Sequence, residues 1–214
     1  MVNRVELWGG NEPHGHDFVE IALAGQGSGR HLSASGEREL GWGDVIVVRP
    51  GAWHGFVDCN GLMIHNCCFD SGLLQRELSW LREDPALNFL LWAGPFASNR
   101  RGVLVVRLAQ DRLAASLASL EALEALQATP HRAETIGRLL IFLDGLAHSI
   151  ADLENLSQRA RQFHPAVWES VRLLESQIAQ DWSLGELAAR SHLWILLTWC
   201  ACFGRRLAWH RSPI

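Results

Sequence analysis

Over the first 70 residues the apolar positions come in short clusters separated by turn-forming residues. FVEIALAG (18–25), HLSAS (31–35), DVIVVRPG (44–51) and GLMIHNCCF (61–69) are bounded by Gly, Asn, Asp or Pro, as strands usually are. No helix-length stripe falls among them, which argues against a parallel α/β sheet. Many short strands at regular spacing predict a closed antiparallel barrel or sandwich. From Ser71 the period changes. Leu73, Leu74, Leu78 and Leu81 recur at steps of three and four, followed by the apolar stretch DPALNFLLW. After the loop AGPFASNRRG, Leu113, Leu117, Leu120, Leu123 and Leu126 line one helix face. Leu139, Leu140, Leu143, Leu146, Ile150 and Leu153 line another. ATPHR breaks the chain between them, so helices over 108–127 and 132–153 are expected to form an antiparallel hairpin. Two such stripes either only cover the barrel and each other or, being longer than one hairpin needs, form a homodimer interface.

A third segment starts near Pro165, with Val167, Trp168, Val171, Leu174 and Ile178 on one helical face. In DWSLGELAARSHL (181–193), Ser183 is placed as an N-cap with Glu186 three residues later, the spacing of a capping box. The pattern gives an α+β protein with three domains: a barrel over 1–84, a helical linker and hairpin over 85–160, and a segment over 161–214.

Composition narrows the function classes. Of 214 residues, 48% are hydrophobic and 20% charged, which describes a folded chain and not a disordered one. The net charge of −4 gives no global attraction to nucleic acid, so any DNA contact needs a local basic patch. The five cysteines lack zinc-type C-x-x-C spacing, and neither a signal-peptide core nor a membrane-length apolar run is present. These features point to a reducing, cytoplasmic setting without a membrane partner.

The candidate chemistry lies in NEPHGHDFVEIALAGQG (11–27). On one strand, His14, His16 and Glu20 would face the same side, and His54 follows the Pro-Gly turn in RPGAWHGF. Two imidazoles and a carboxylate suit zinc, iron, manganese or nickel. His14, His16, Glu20 and Gly27 match the first cupin motif, H-x-H-x₃-E-x₆-G. The second motif, G-x₅-P-x-G-x₂-H-x₃-N, is met loosely: Gly43 is one residue too far from Pro50, Gly51 follows the proline directly, and Asp58 stands for Asn.

The order of segments resembles AraC/XylS-type transcription regulators, particularly the rhamnose- and arabinose-sensing groups. The residues that carry the resemblance are HGHDFVEIALAGQGSGRH, GDVIVVRPGAWHGF and GLMIHNCCFDSGLL, then SVRLLESQIAQDWSLGELAARSHL, which is similar to the start of that family's helix-turn-helix domain. The resemblance implies a cupin-like barrel that binds a small effector, often a sugar in that family, with no metal and no cofactor. His14, His16, Glu20, His54 and Trp53 are then the effector-binding candidates; Trp8, Trp42 and Trp53 are read either as pocket aromatics or as barrel-core residues. An alternative is a metal-dependent cupin enzyme using His14, His16, Glu20 and His54; another is a dimerising remnant that does not read DNA. The resemblance also implies promoter DNA as a partner of an intact homologue, with Ser183, Arg190, Ser191 and His192 at the DNA-binding end. After Leu193 the chain reads WILLTWCACFGRRLAWHRSPI, with no helix-turn-helix spacing, and is read as a truncated or frameshifted DNA-binding domain.

Overall fold

The computed structural model describes residues 1–97, 99–154, 169, 170, 173, 174 and 180–191. The chain divides into two compact units, Met1–Ser157 and Gln158–Ile214. The first begins with β1 (Val2–Gly15), β2 (Phe18–Ala24), β3 (Ser28–Ser33), β4 (Gly36–Leu40), β5 (Asp44–Val48) and β6 (Trp53–Asp70). A seventh strand, β7 (Val103–Arg107), joins the same sheet after a run of short helical turns. The order is β4-β3-β6-β2-β5-β7, with β1 also on β6, and every pairing is antiparallel.

The 18-residue strand β6 organises this sheet. Along one edge it pairs with β1 from Trp53 to Cys67. Along the other it serves β3 with residues 54–60 and β2 with residues 64–70. The change of partner falls where Asp58 and Gly61 take φ of 52° and 58°. Such left-handed residues bend and twist a strand locally, and the sheet curls into a half-barrel. Gly27 closes the same corner with φ +90°; a Cβ there would lie 2.1 Å from the Gly61 carbonyl oxygen, so only glycine fits.

One core fills the sheet's concave side, with Ala22, Ala24, Ile46, Val48, Phe56, Leu62, Ile64 and Val103 buried together. Val19, Ile21, Leu23, Val45 and Val47 on the opposite face are also fully buried. That explains why β2 and β5 read as nearly continuous apolar runs. The sequence pattern left out β1, β4, β7 and residues 53–60 of β6, and it expected only helices after Ser71. Strand β7 corrects that expectation: VLVVR is a β-branched run, and Arg107 forks onto buried Asp44 of β5 at 3.0 and 2.6 Å.

The helical part comprises α1 (Ser71–Gln75), a 3₁₀ turn (Ser79–Glu83), α2 (Pro85–Asn88), a π-helical turn (Phe89–Ala93), α3 (Gly94–Phe96), α4 (Gln110–Ala125) and α5 (Arg132–Glu154). Helices α4 and α5 pack as the expected hairpin, and α4 also touches β1 and β6. The Gln127 side-chain amide accepts from the Val2 N–H at 2.7 Å and donates to the Val2 carbonyl at 2.8 Å. Leu113, Leu120, Leu123, Leu139, Leu143, Leu146 and Ile150 are all buried within the single chain. The stripes therefore cover each other and their neighbours, which removes the main sequence motive for a dimer seam. Of the large apolar residues on α5, Ile141 stands out at 60% exposure.

In the second unit, Leu184–Arg190 forms helix α6, and the Ser183–Glu186 capping box is present in both directions. Leu187 and Ala188 bury with Leu173, and Trp182 packs on them. Among the described residues no helix is long and apolar enough to cross a membrane.

Leu143 is fully buried in the hairpin, so Leu143→Ala should lower unfolding free energy by about 2–5 kcal/mol. Urea denaturation followed by circular dichroism checks this; a loss under about 0.5 kcal/mol would contradict the packing described.

Candidate functional site

The sequence pattern put His14, His16 and Glu20 on one strand. The structure separates them: His14 lies near the end of β1, His16 lies in the link, and Glu20 is on β2. The curl of the sheet still brings most of the set together. In the turn before β6, Gly51 has φ +80° and its N–H donates to the His16 carbonyl at 3.0 Å. This ties the Pro-Gly turn to the link and sets His54 facing inward. His16 Nε2 lies 3.2 Å from Glu20 Oε2, and His54 Nε2 lies 3.5 Å from the same oxygen. Neither contact has the alignment of a hydrogen bond, since both nitrogens lack a hydrogen-bond partner. His14 stays at the surface. It pairs across the strands with His54, their ring centres 4.7 Å apart.

His16 is held from behind. Its ring stacks on Phe18 at 4.1 Å, and its Nδ1 lies 2.9 Å from the Phe18 carbonyl. Since a carbonyl only accepts, Nδ1 must carry the proton that donates there. Nε2 then faces the Glu20 carboxylate either protonated or as a lone pair. Two lone pairs at 3.2 Å repel, so a proton or another cation between them is favoured. Burial disfavours charge on His16, but the nearby carboxylate and the Phe18 carbonyl outweigh it and raise the pKa above 6.5. Burial likewise works against the Glu20 carboxylate, yet the two histidines prevail and bring its pKa down to about 2.

A fourth inward histidine was missed by motif reading. His31 on β3 is 1% exposed, and its ring centre is 5.6 Å from that of His54 and 5.5 Å from that of Phe56. Burial, then the neighbouring His54 charge, lowers its pKa to about 4. The signal was present in HLSAS, where His31 and Ser33 alternate with apolar residues and so share a strand face. Strand register adds two more polar residues. Asn66 opposes Ala22 on one side and Asn3 on the other, on the face that carries Glu20.

The aromatic expectations are corrected. Trp53 is 43% exposed while its neighbour His54 is 1% exposed, because adjacent strand residues face opposite sides. Trp8 and Trp42 are 66% and 46% exposed; the aromatic wall beside the histidines is Phe18 and Phe56 instead.

At the expected DNA-binding end the side chains are already engaged. The Ser183 hydroxyl caps α6 and donates to Glu186 at 2.6 Å. Ser191 is a correction: it is 1% exposed, and its hydroxyl donates to the Leu187 carbonyl at 2.6 Å. Arg190 is exposed, with its guanidinium 5.0 Å over the Trp182 ring. His192 lies outside the described residues.

The shifted groups set a pH profile. The unfolded chain takes up a proton at His31 near pH 6.5, while the fold resists it until about 4, so acidification through that window removes stability. Glu20 adds a loss from about 4.5 down to about 2. His16 acts oppositely: its contribution is complete below 6.5 and fades as pH rises through its raised value. Urea midpoints should therefore fall between pH 6.5 and 4, and His31→Gln should flatten that slope. An unchanged slope in the variant would exclude His31 as its source.

The family model described as the AraC-like ligand binding domain matches residues 7–188. The HTH-type transcriptional activator RhaR of Cronobacter sakazakii is 30% identical over 74 residues, 34% of this chain and 26% of that protein. RhaR of an Enterobacter species is 24% identical over 113 residues, covering 50% and 40% respectively. These alignments thus span well under half of each relative. Among solved structures, apo ToxT K231A from Vibrio cholerae superposes with a TM-score of 0.50 at 12% identity, over 94% of this chain and 74% of that one, which supports the fold alone. With a family match across most of its length, the chain belongs to the AraC-like ligand binding domain family.

Proposed function

We propose that this chain is an AraC-type transcription regulator whose half-barrel binds a small polyhydroxylated effector, a sugar or a close analogue. The observation that carries the reading is a set of buried polar atoms without hydrogen-bond partners on the concave side: His31 Nε2, both ring nitrogens of His54, and the side-chain oxygens of Asn3 and Asn66. Buried polar groups are normally satisfied, and leaving one unpaired costs about 1–3 kcal/mol. A sugar hydroxyl both donates and accepts, so several hydroxyls on one ring would meet imidazole and amide partners together. Glu20 would accept from the ring, and Phe18 and Phe56 would supply apolar contact. Both RhaR relatives are by name transcriptional activators, in keeping with this role.

A second reading rests on one specific arrangement. Single donor atoms of His16, Glu20 and His54 lie within 4.8 Å of one another, a two-histidine, one-carboxylate set that fits a divalent transition metal. His16 Nδ1 is tied to Phe18, leaving Nε2 as the ligand atom, as second-shell bonding to a metal-bound histidine requires. His14 does not belong to this set. A bound metal would supply Lewis acidity, and the metal-dependent cupin enzyme is the function it would favour.

A homodimer through α4 and α5, and promoter DNA as a partner of an intact homologue, belong to the same proposal. Support for the dimer rests on family membership and on exposed Ile141. Base reading by this polypeptide is not favoured, because Ser183 and Ser191 are engaged within the second unit and residues 194–214 carry no helix-turn-helix spacing. Phosphate contacts alone only position a protein, whereas bidentate base contacts discriminate.

Calorimetric titration with a panel of pentoses, hexoses and deoxyhexoses tests the main reading. One sugar should bind saturably, and Glu20→Gln or His54→Ala should weaken it at least about tenfold, or 1.4 kcal/mol. No binding across the panel together with one equivalent of tightly held metal by elemental analysis would replace the sensor with the enzyme. On DNA, fluorescence anisotropy at physiological salt should show weak, sequence-independent association that falls steeply with added salt. Nanomolar, sequence-specific binding would place a reading element in this chain.

A further inference from the structure

On the opposite side of β6 from the histidines, the α4–α5 hairpin leaves a cleft that no part of the sensor reading uses. Its inner part, of about 180 Å³, is lined by Val2, Cys67, Phe69, Leu123, Leu126 and Leu139 among others. Its outer part, of about 430 Å³, is bordered by Asp70, Arg76, Glu77 and Arg132. The two adjoin, since Leu73, Pro130, Thr135 and Ile136 line both. We infer that this cleft is a second small-molecule site, and that it takes a small amphipathic carboxylic acid with an aryl or short alkyl body.

The inner chamber sets the body. It is slightly larger than the roughly 150 Å³ apolar cavity known to stay dry and to accept benzene. One ring or a comparable alkyl chain therefore fits, and burying it removes apolar surface from water at about 25 cal/mol per Å². Thr135 lines both parts, and its hydroxyl oxygen is buried without a hydrogen-bond partner. A ligand oxygen beside it would satisfy it.

The mouth sets the head group. Arg132 donates to Glu77 at 2.7 Å, and Arg76 reaches the same carboxylate at 3.8 Å. Asp70 is committed as the N-cap of α1, accepting from the Gly72 N–H at 2.5 Å. Each guanidinium carries five N–H donors, more than Glu77 can use. A ligand carboxylate can thus share the Arg132 fork, which matches carboxylate geometry. Arg132 opens α5 and Thr135 lies in its first turn, so an occupant would bridge the hairpin to the sheet.

The test uses the full chain with 3-phenylpropionate and its uncharged analogue 3-phenylpropanol, titrated calorimetrically. The acid should bind one-to-one with a Kd of about 1 mM or tighter, and the alcohol about tenfold more weakly. Arg132→Gln, at a largely exposed side chain, should reduce the acid to the level of the alcohol. Leu126→Trp, which fills the inner chamber from a half-buried position, should abolish both while circular dichroism stays native. Failure of both probes to saturate overturns the site. Equal affinity for acid and alcohol overturns the assigned head group. Binding that survives Leu126→Trp places the probe elsewhere, including in the half-barrel, and overturns the cleft as its location. Sugar binding is read separately, so either proposal can fail alone.

Discussion

Strand β6 has to satisfy three neighbours with one backbone. A straight 18-residue strand would offer one flat edge to a single partner. The left-handed residues Asp58 and Gly61 divide it, so that β3 takes the first half of an edge and β2 the second. This bend makes the sheet concave and carries His54, at one end of β6, toward Glu20 on a strand that pairs with the other end. Gly27, pressed against the Gly61 carbonyl, holds the corner closed. Without the bend, His54 and Glu20 would not converge.

Within that concavity the balance is electrostatic. A carboxylate is costly to bury alone, and Glu20 stays ionised because two imidazoles face one of its oxygens. His31 sits farther off and remains neutral under its own burial. The result is a graded row: a carboxylate, a histidine inclined to hold its proton, and another inclined to release it. Such a row sets hydrogen-bond donors and acceptors side by side on one buried surface.

How far the sequence carried this picture differs by element. The α4 and α5 stripes were legible because period 3.6 is strong over long helices, and Pro130 punctuates them clearly. Strands β2 and β5 were legible as apolar runs. Strand β1 was not, since most of its residues are exposed and its conformation is imposed by pairing with β6. Strand β7 had a clear β-branched signal, but it is short and set among helical segments. At the site, His16, Glu20 and His54 came from motif spacing. The motif could not show that the strand stops before His16, which leaves His14 at the surface. His31 came from no motif at all, and Trp53 was misplaced by counting an aromatic near the site without its strand parity.

The amide of Gln127 has one more consequence. β1 pairs with β6 alone, so its other side is a row of unspent backbone groups, the kind of edge onto which another chain can add a strand. By taking both the N–H and the carbonyl of Val2, a single side chain on the hairpin imitates a neighbouring strand for one residue. Farther along, the register shifts between Leu7 and His14 break the regular ladder that such an addition would need. The free edge of β1 is thus blocked at one end by a helix-borne amide and roughened at the other, which disfavours addition of a strand along it.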